Sequence, residues 1–232
     1  MVGHLDHGLW RRLDDACSGV TNLKPRTLLS RAGEPLSESA LLLDGMMARY
    51  VAQPVGNQNK AMVSIRVPGD FVDLHALPLG HLDHDVSTLT DVTIAIFPHE
   101  KLLRIMAESA DDARALWRLT MVDAAIHRHW IYRNARLRAV ASIADFISEM
   151  DMRLRACGAV ADGRMPLPLL QTDIADIAGL STVHVSRVCR DLREAGLCTI
   201  ADGHTQIHDR ERLHRLANFD PAYLYPSGNL SS

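Results

Sequence analysis

Residues 172–197 read TDIADIAGLSTVHVSRVCRDLREAGL, and one glycine, Gly179, divides this run into two segments of helical periodicity. Ile174 and Ala178 share a face of the first segment, which a left-handed turn at Gly179 would end without steric penalty. Ser181 is then placed to cap a second helix. The apolar face of that helix holds four residues: Val185, Val188, Cys189 and Leu192. Two helices joined by a tight glycine turn make a helix-turn-helix.

The outer face of the second helix, residues 182–195, combines arginines with small hydroxyl side chains. The candidate DNA-contacting residues on it are Thr182, Val183, His184, Ser186, Arg187 and Arg190. Arginines on successive helical turns fit a major groove, where a guanidinium pairs with guanine O6 and N7. The alternative is an αα-hairpin in a protein core, which would not display this arginine-rich face. We therefore predict that the chain binds double-stranded DNA.

The segment after this helix, LCTIADGHTQIHD, predicts a β-hairpin with an Asp-Gly turn. A hairpin behind a recognition helix makes a winged helix, and the wing rests on phosphate. The segment GAVADGRMPLP, at residues 158–168, predicts a turn-rich connection before the helix-turn-helix.

The rest of the chain separates into a strand-rich zone and a helical zone. Residues 23–98 consist of short apolar runs separated by turns such as DG, GNQN and PGD, which predicts a β-roll of the cupin-like jelly-roll type. Residues 99–157 lack proline and glycine and predict three helices, the longest at about 111–134. We predict an α+β fold with a β-roll at 1–110, a dimerisation helix at 111–136 and a winged helix-turn-helix at 137–232.

Apolar residues recur near heptad spacing along the long helix. Leu119, Ile126 and Trp130 are the candidate dimerisation residues, although Asp123 interrupts the stripe. The helix could instead be a core helix of a single domain. Since one small domain seldom needs so long a helix, we predict a homodimer.

A strand-rich roll, a long helix and the sequence DIADIAGLS…VSRVCRDLREAGL together resemble the Crp/Fnr family of bacterial transcription regulators, and RAGEP, LLLDG and PGDF match its β-roll. The resemblance implies a cytoplasmic regulator without catalytic activity that reads a palindromic site as a homodimer and contacts RNA polymerase. Arg187 matches the family's base-reading arginine, and Ser186 matches a position used by the Fnr branch. Val183 departs from the acidic residue that is frequent there, so we expect a different base preference at that position.

The expected ligand segment, GDFVDLHALPLGHLDHDVSTLTD, also departs from the family. Members that bind cyclic nucleotides carry an arginine for the phosphate, and none occurs here between Arg66 and Arg104. We expect no cyclic AMP binding, because carboxylates without a fixed cation oppose a phosphate. Cys17 stands alone where the Fnr branch has a cysteine cluster, so we expect no iron–sulfur cluster. We predict no cofactor and leave open an unknown effector, or a roll that serves only as a dimer scaffold.

Three histidines of this segment, His75, His81 and His84, are weak candidates for metal ligands. The alternative is a polar loop with histidines at the surface, and since no spacing matches a known metal signature, we predict no metal. A competing hypothesis for the whole chain is a cupin-like protein that binds a small molecule, a metal or haem, including a metalloenzyme, with the helical tail as an interaction module. It would need an H-x-H pair that the segment lacks.

The composition of the 232 residues is compatible with this interpretation. The net charge is −3, so nucleic acid must be bound by a local patch and not by a basic whole. No apolar run reaches the length of a membrane span, and the N-terminal residues do not predict a signal peptide. The four scattered cysteines indicate reduced thiols in a cytoplasm.

Overall fold

The computed structural model describes residues 5–52 and 60–226. The helices are α1 (His7–Ala16), α2 (Ala76–Leu79), α3 (His99–Glu108), α4 (Ala110–Arg136), α5 (Ala139–Ala156), α6 (Gln171–Ala178), α7 (Thr182–Glu194) and α8 (Arg210–Ala217), followed by a 3₁₀ helix (Pro221–Leu224). The strands are β1 (Gly19–Leu23), β2 (Leu28–Ser30), β3 (Glu38–Asp44), β4 (Met47–Ala52), β5 (Lys60–Arg66), β6 (Asp85–Thr88), β7 (Val92–Pro98), β8 (Arg164–Pro166), β9 (Cys198–Ala201) and β10 (His204–Ile207).

Two antiparallel sheets form the N-terminal unit, Met1–Ala124. One sheet has the order β1-β7-β3 and the other β2-β6-β4-β5. In the first sheet Leu41 pairs with Ala95, and in the second a register shift follows Arg49. The predicted DG turn joins β3 to β4, while the GNQN turn lies outside the described residues. The α+β fold with an N-terminal roll is confirmed.

Alternating apolar residues of both sheets fill the interior of this roll. One cluster includes Leu42, Met47, Val72, Val86 and Ile94. Gly45 turns the chain between β3 and β4 at φ 86°, where an added Cβ would lie 2.2 Å from the Asp91 carbonyl oxygen. Glycine is therefore required at this turn for its backbone conformation and for space.

Two helices of this unit were absent from the sequence-based prediction. Helix α1 is capped by Asp6, whose Oδ1 accepts a hydrogen bond from the Leu9 amide at 2.8 Å. Leu9 and Leu13 are fully buried in a cluster with Phe71 and Phe97. Helix α2 is a single turn inside the predicted strand zone, too short to have a periodicity of its own.

The C-terminal unit, Ala125–Ser232, contains the second half of α4, helices α5 to α8 and a three-stranded sheet of order β8-β10-β9. The junction between the two units falls inside α4, and the predicted division at residues 110 and 136 stays a prediction. Strand β8 corrects the sequence analysis, which assigned its residues to a turn-rich connection. Three residues are too few for an alternating pattern, and pairing with β10 creates the strand.

Helix α4 changes which residues are available for a dimer seam. Leu119, Ile126 and Trp130 are 6%, 3% and 5% exposed, so their own chain already covers them. Burial within one chain leaves these three residues little surface for a second chain, and their role in a dimer stays a prediction. A periodic stripe does not reveal whether its own domain or a second chain covers it. The large apolar residues of α4 that remain exposed are Trp117, Met121, Ile131 and Tyr132. Across the described parts of the chain, no helix has the length and apolarity that a membrane crossing requires.

Candidate nucleic-acid interface

The turn between α6 and α7 has the geometry that the glycine predicts. Gly179 has φ 62° and ψ 34°, which is the left-handed region. The Leu180 amide donates to the Ala175 carbonyl oxygen at 2.9 Å and closes the end of α6. At the start of α6 the Asp173 carboxylate accepts from the Leu170 amide at 2.7 Å. Both ends of this short helix are therefore fixed by local hydrogen bonds.

Helix α7 begins at the predicted cap and buries three residues of the predicted apolar face, while the fourth, Cys189, is half-buried. The Ser181 hydroxyl oxygen accepts from the His184 amide at 3.3 Å. Val185, Val188 and Leu192 are at most 1% exposed, and this packing fixes the rotation of α7 about its axis. The opposite face of the helix is consequently presented to solvent.

All six predicted DNA-contacting residues lie on that exposed face. Val183 is 71% exposed, which is unusual for a branched apolar side chain. The face borders a groove of about 660 Å³ with five further lining residues, Gln171, Cys189, Arg193, Thr199 and Ile200. These five are absent from the predicted set of DNA-contacting residues. Gln171 begins α6 and Thr199 and Ile200 lie on β9, so only the packing of wing and helix shows that they adjoin α7.

The two central arginines of α7 differ in their electrostatic surroundings. The Arg190 guanidinium lies 3.9 Å from carboxylates of both Asp191 and Glu194, at the limit of an ion pair. Arg187 forms no ion pair with any residue of 5–52 or 60–226. Its positive charge is therefore available to an external acceptor.

The wing is the predicted hairpin. Asp202 and Gly203 have φ of 53° and 73°, the two positive values that a type I′ turn requires. Strand β10 pairs with β9 on one side and with β8 on the other. Thr205, at its centre, is fully buried, so the wing is anchored to the body of the unit.

A buried ionic network joins α4 to α5 beneath this interface. Arg133 is fully buried, and its Nε and Nη2 donate to Asp145 and Glu149 at 2.5 Å each. Burial by itself would raise the pKa of Glu149, but the nearby Arg133 and Arg153 outweigh it and hold that pKa below its usual value. Asn134 Nδ2 donates to the Ile177 carbonyl oxygen at 3.0 Å and ties α4 to α6. These hydrogen bonds hold α4, α5 and α6 together and so fix the position of the helix-turn-helix on them.

In the N-terminal unit, Asp123 pairs with two buried arginines. Arg49 Nη1 donates to Asp123 Oδ2 at 2.6 Å, and Arg66 Nη2 donates to Asp123 Oδ1. Arg49 also donates through Nε and Nη2 to the Val72 carbonyl oxygen. Burial and the neighbouring Arg66 lower the pKa of Arg49 to about 10, so it stays charged at neutral pH. Asp123, which interrupts the apolar stripe of the long helix, is therefore the internal anion that pairs with both arginines.

The three candidate histidines do not form one cluster. His75 and His84 have ring centroids 5.2 Å apart, and Asp83 joins them, while His81 is exposed and outside the group. Burial and the charge of Arg49 lower the pKa of both rings, that of His75 to about 3. Both imidazoles are therefore neutral at neutral pH.

The two cysteines beside the interface are poor nucleophiles. Burial raises the pKa of Cys189, and burial together with the nearby Cys189 raises that of Cys198 to about 12. Thiols with such pKa values stay protonated at neutral pH. The geometry gives no support to a reactive thiol at either position.

Comparison with known proteins relates the chain to one group. A family described as a Crp-like helix-turn-helix domain matches residues 142–216. The nitrogen fixation regulation protein FixK of Rhizobium meliloti (strain 1021) is 31% identical over 163 residues, which are 68% of this chain and 69% of that protein. FixK of Bradyrhizobium diazoefficiens is 27% identical over 176 residues, covering 76% of this chain and 72% of that one.

Solved structures share the fold across most of the chain. FixK2 from Bradyrhizobium japonicum superposes with a TM-score of 0.74 at 21% identity, covering 85% of this chain and 96% of that one. The c-di-GMP responsive global regulator CLP from Xanthomonas campestris has a TM-score of 0.65 at 16% identity, covering 88% of this chain and all of that one. The succession of β-roll, long helix and winged helix is therefore shared with both.

Proposed function

Because this chain belongs to the Crp/Fnr family and is a DNA-binding transcription regulator, we propose that it works as a homodimer that reads a palindromic site with α7. The observation that carries this proposal is the solvent-facing row of α7, in which Arg187 has no ion-pair partner among the described residues. A guanidinium so placed can donate two hydrogen bonds to guanine in a major groove.

The other exposed residues of α7 would contact different groups of the DNA. Val183 offers an apolar contact to a thymine methyl, and Thr182 and Ser186 offer hydroxyl groups to base edges or phosphate. Arg190, half held by its own helix, suits phosphate better than a base. The turn of the wing at Asp202 and Gly203 would approach the neighbouring backbone.

The dimer seam in this proposal is carried by the exposed apolar side chains of α4. Trp117 and Met121 are four residues apart, and Ile131 follows ten residues later, which keeps all three near one heptad stripe. Exposed side chains of this size on one helix mark an interaction surface. A two-fold axis there would give a palindrome with half-sites about 10 bp apart.

The effector in this proposal is not cyclic AMP. The two arginines that could hold a phosphate in the roll, Arg49 and Arg66, already share the Asp123 carboxylate. The cavity lined by Arg49 and Asp123, between β4 and α4, has a volume of about 10 Å³, the room of a single water. We place the protein in the cytoplasm, with RNA polymerase as a further partner and no catalytic role.

Selection of random duplex DNA tests this proposal. The wild-type protein should enrich a palindrome, and Arg187→Ala should weaken binding by about 1–3 kcal/mol and relax one base position in each half-site. Arg215→Ala is the matched control, since Arg215 is an exposed arginine of α8 outside the α7 face. Enrichment of a site without two-fold symmetry, or equal losses for both variants, would overturn the assignment of α7.

A further inference from the structure

Three side chains of the N-terminal unit converge between α2 and β6. His75 precedes α2, and Asp83 and His84 precede β6. One potential ligand atom from each lies within 4.8 Å of the other two. Two atoms that bind one ion at about 2.1 Å lie at most about 4.2 Å apart. Small rotations of the His75 and His84 rings are therefore enough to bring a nitrogen of each to a shared ion, with the Asp83 carboxylate beside them.

The backbone around these side chains is fixed on both sides. The Ala76 amide donates to the Asp73 carbonyl oxygen at 2.8 Å, and the Asp73 carboxylate accepts from the Ala40 amide at 2.8 Å. Leu82 is fully buried, and its carbonyl oxygen accepts from the Gly33 amide at 2.8 Å. Such support is what a metal site needs, since loosely held ligands bind ions weakly.

The hydrogen bonding of His84 leaves one ring nitrogen available. Its Nδ1 lies 2.7 Å from Asp83 Oδ1, and a carboxylate can only accept, so Nδ1 carries the proton. His84 is 6% exposed, and its Nε2 is buried without a hydrogen-bond partner among the described residues. Buried polar atoms without a bonding partner are rare in folded proteins, so such an atom indicates a partner that the protein alone does not supply. An imidazole oriented by a carboxylate, with its second nitrogen bare, is the usual state of a metal-binding histidine.

We propose that His75 and His84 hold a divalent transition-metal ion through their imidazole nitrogens, with Asp83 as the residue that positions His84. Nitrogen donors favour ions such as Zn²⁺, Co²⁺ or Ni²⁺ over Mg²⁺ and Ca²⁺, which prefer oxygen. The nearby Arg49 and Arg66 share the Asp123 carboxylate, which compensates part of their positive charge. Water completes the coordination.

Calorimetric titration of the full-length protein, freed of metal by a chelator, with Zn²⁺ tests the site. We expect saturable binding of one ion per chain in the wild type. His75→Ala and His84→Asn should each weaken it by at least about tenfold, and Asp83→Asn by about tenfold. His81→Ala is the matched control, because His81 belongs to the same segment but is exposed and outside the group. Cobalt absorption in the same variants reports imidazole coordination directly.

Several results would overturn the site. One is an absence of saturable binding in the wild type, and another is equal affinity in wild type, His75→Ala and His84→Asn. Loss of affinity in His81→Ala would place the ion elsewhere among the twelve histidines of the chain. Circular dichroism checks the fold, and His75→Ala keeps the test decisive if the buried His84 variant does not fold. No DNA is present, so the result is independent of the proposed DNA recognition.

Discussion

At the scale of single residues, Val183 is the one that we expect to set most directly which base the proposed interface reads. Its side chain is 71% exposed at the second position of α7, and a branched apolar group there can contact only methyl groups or sugar. In the proposed interface Arg187, one turn further along α7, would donate hydrogen bonds to guanine. Val183 and Arg187 lie on adjacent turns and offer an apolar and a cationic contact. A substitution at either residue should therefore change the preference at one base position and leave the other unchanged.

Val183→Glu should therefore change the base preference without abolishing binding. A glutamate can accept a hydrogen bond from cytosine N4, so we expect enrichment of cytosine on the contacted strand at one position per half-site. Selection of random DNA followed by sequencing measures the change. Val183→Ala is the control, since it removes the apolar contact without adding an acceptor. Identical palindromes for the wild type and Val183→Glu would show that the residue does not face a base.

At the scale of elements, the junction of α4 and α5 depends on Arg133 and its two carboxylate partners. Replacing Glu149 by Gln keeps the volume but leaves Arg133, which is fully buried, with Asp145 as its single carboxylate partner among the described residues. Breaking a buried ion pair costs about 3–5 kcal/mol. We expect Glu149→Gln to lower the free energy of unfolding by about 3 kcal/mol at pH 7.

This loss should depend on pH in a defined direction. The pKa of Glu149 is lowered from 4.5 in the folded chain, so its contribution is complete above about pH 4.5 and is lost as the pH falls through the lowered value. Denaturant titrations at several pH values should show the gap between wild type and variant narrowing in acid. Glu211→Gln on α8, whose exposed pair with Arg215 is worth less than about 1 kcal/mol, is the control. A gap that stays constant down to pH 3 would contradict the argument.

Elements with local signals were predictable from the sequence, and elements made by tertiary contacts were not. Gly179, Ser181 and the Asp202-Gly203 turn each specify a backbone conformation through their own side chains or lack of one, so the helix-turn-helix and wing hairpin follow from them. Strand β8 exists because β10 pairs with it, and the partners of Asp123 come from distant strands. No local pattern contains that information.

At the scale of the molecule, two isoleucines of α4 separate the proposed dimer seam from the core of the chain. Ile131 is 69% exposed and Ile126 is 3% exposed. We expect Ile131→Asp to convert a homodimer into folded monomers, because each monomer tolerates the charge while the seam would bury it unpaired. We expect Ile126→Asp to destabilise the chain itself. Light scattering at micromolar concentration gives the mass, and thermal melting gives the stability.

A wild-type mass of one chain would contradict the dimer. A dimeric Ile131→Asp with unchanged stability would move the seam away from this stripe. The comparison matters for DNA binding, since a monomer offers one α7 and can bind only a half-site. Loss of dimer and loss of palindrome preference should therefore appear together in Ile131→Asp.

The thermal stability of the whole molecule should respond to neither cyclic AMP nor cyclic GMP. A ligand at a hundredfold excess over its Kd stabilises the state it binds by about 2.7 kcal/mol, which raises Tm by a few degrees for a protein of this size. Because Arg49 and Arg66 are buried and share Asp123, a cyclic phosphate would have to displace an internal carboxylate to reach them. We expect no change of Tm with millimolar cyclic AMP or cyclic GMP, and full affinity for the palindrome without either.

Asp123→Ala should create in the same melting assay the response to an anion that the wild type lacks. Its removal leaves two buried guanidinium groups without the carboxylate they share, so the variant should melt at a lower temperature than the wild type. Inorganic phosphate should restore part of that loss in the variant and none in the wild type, since an added anion can bind where the carboxylate was. A saturable rise of Tm with cyclic AMP in the wild type would show that Asp123 yields the arginines to a ligand.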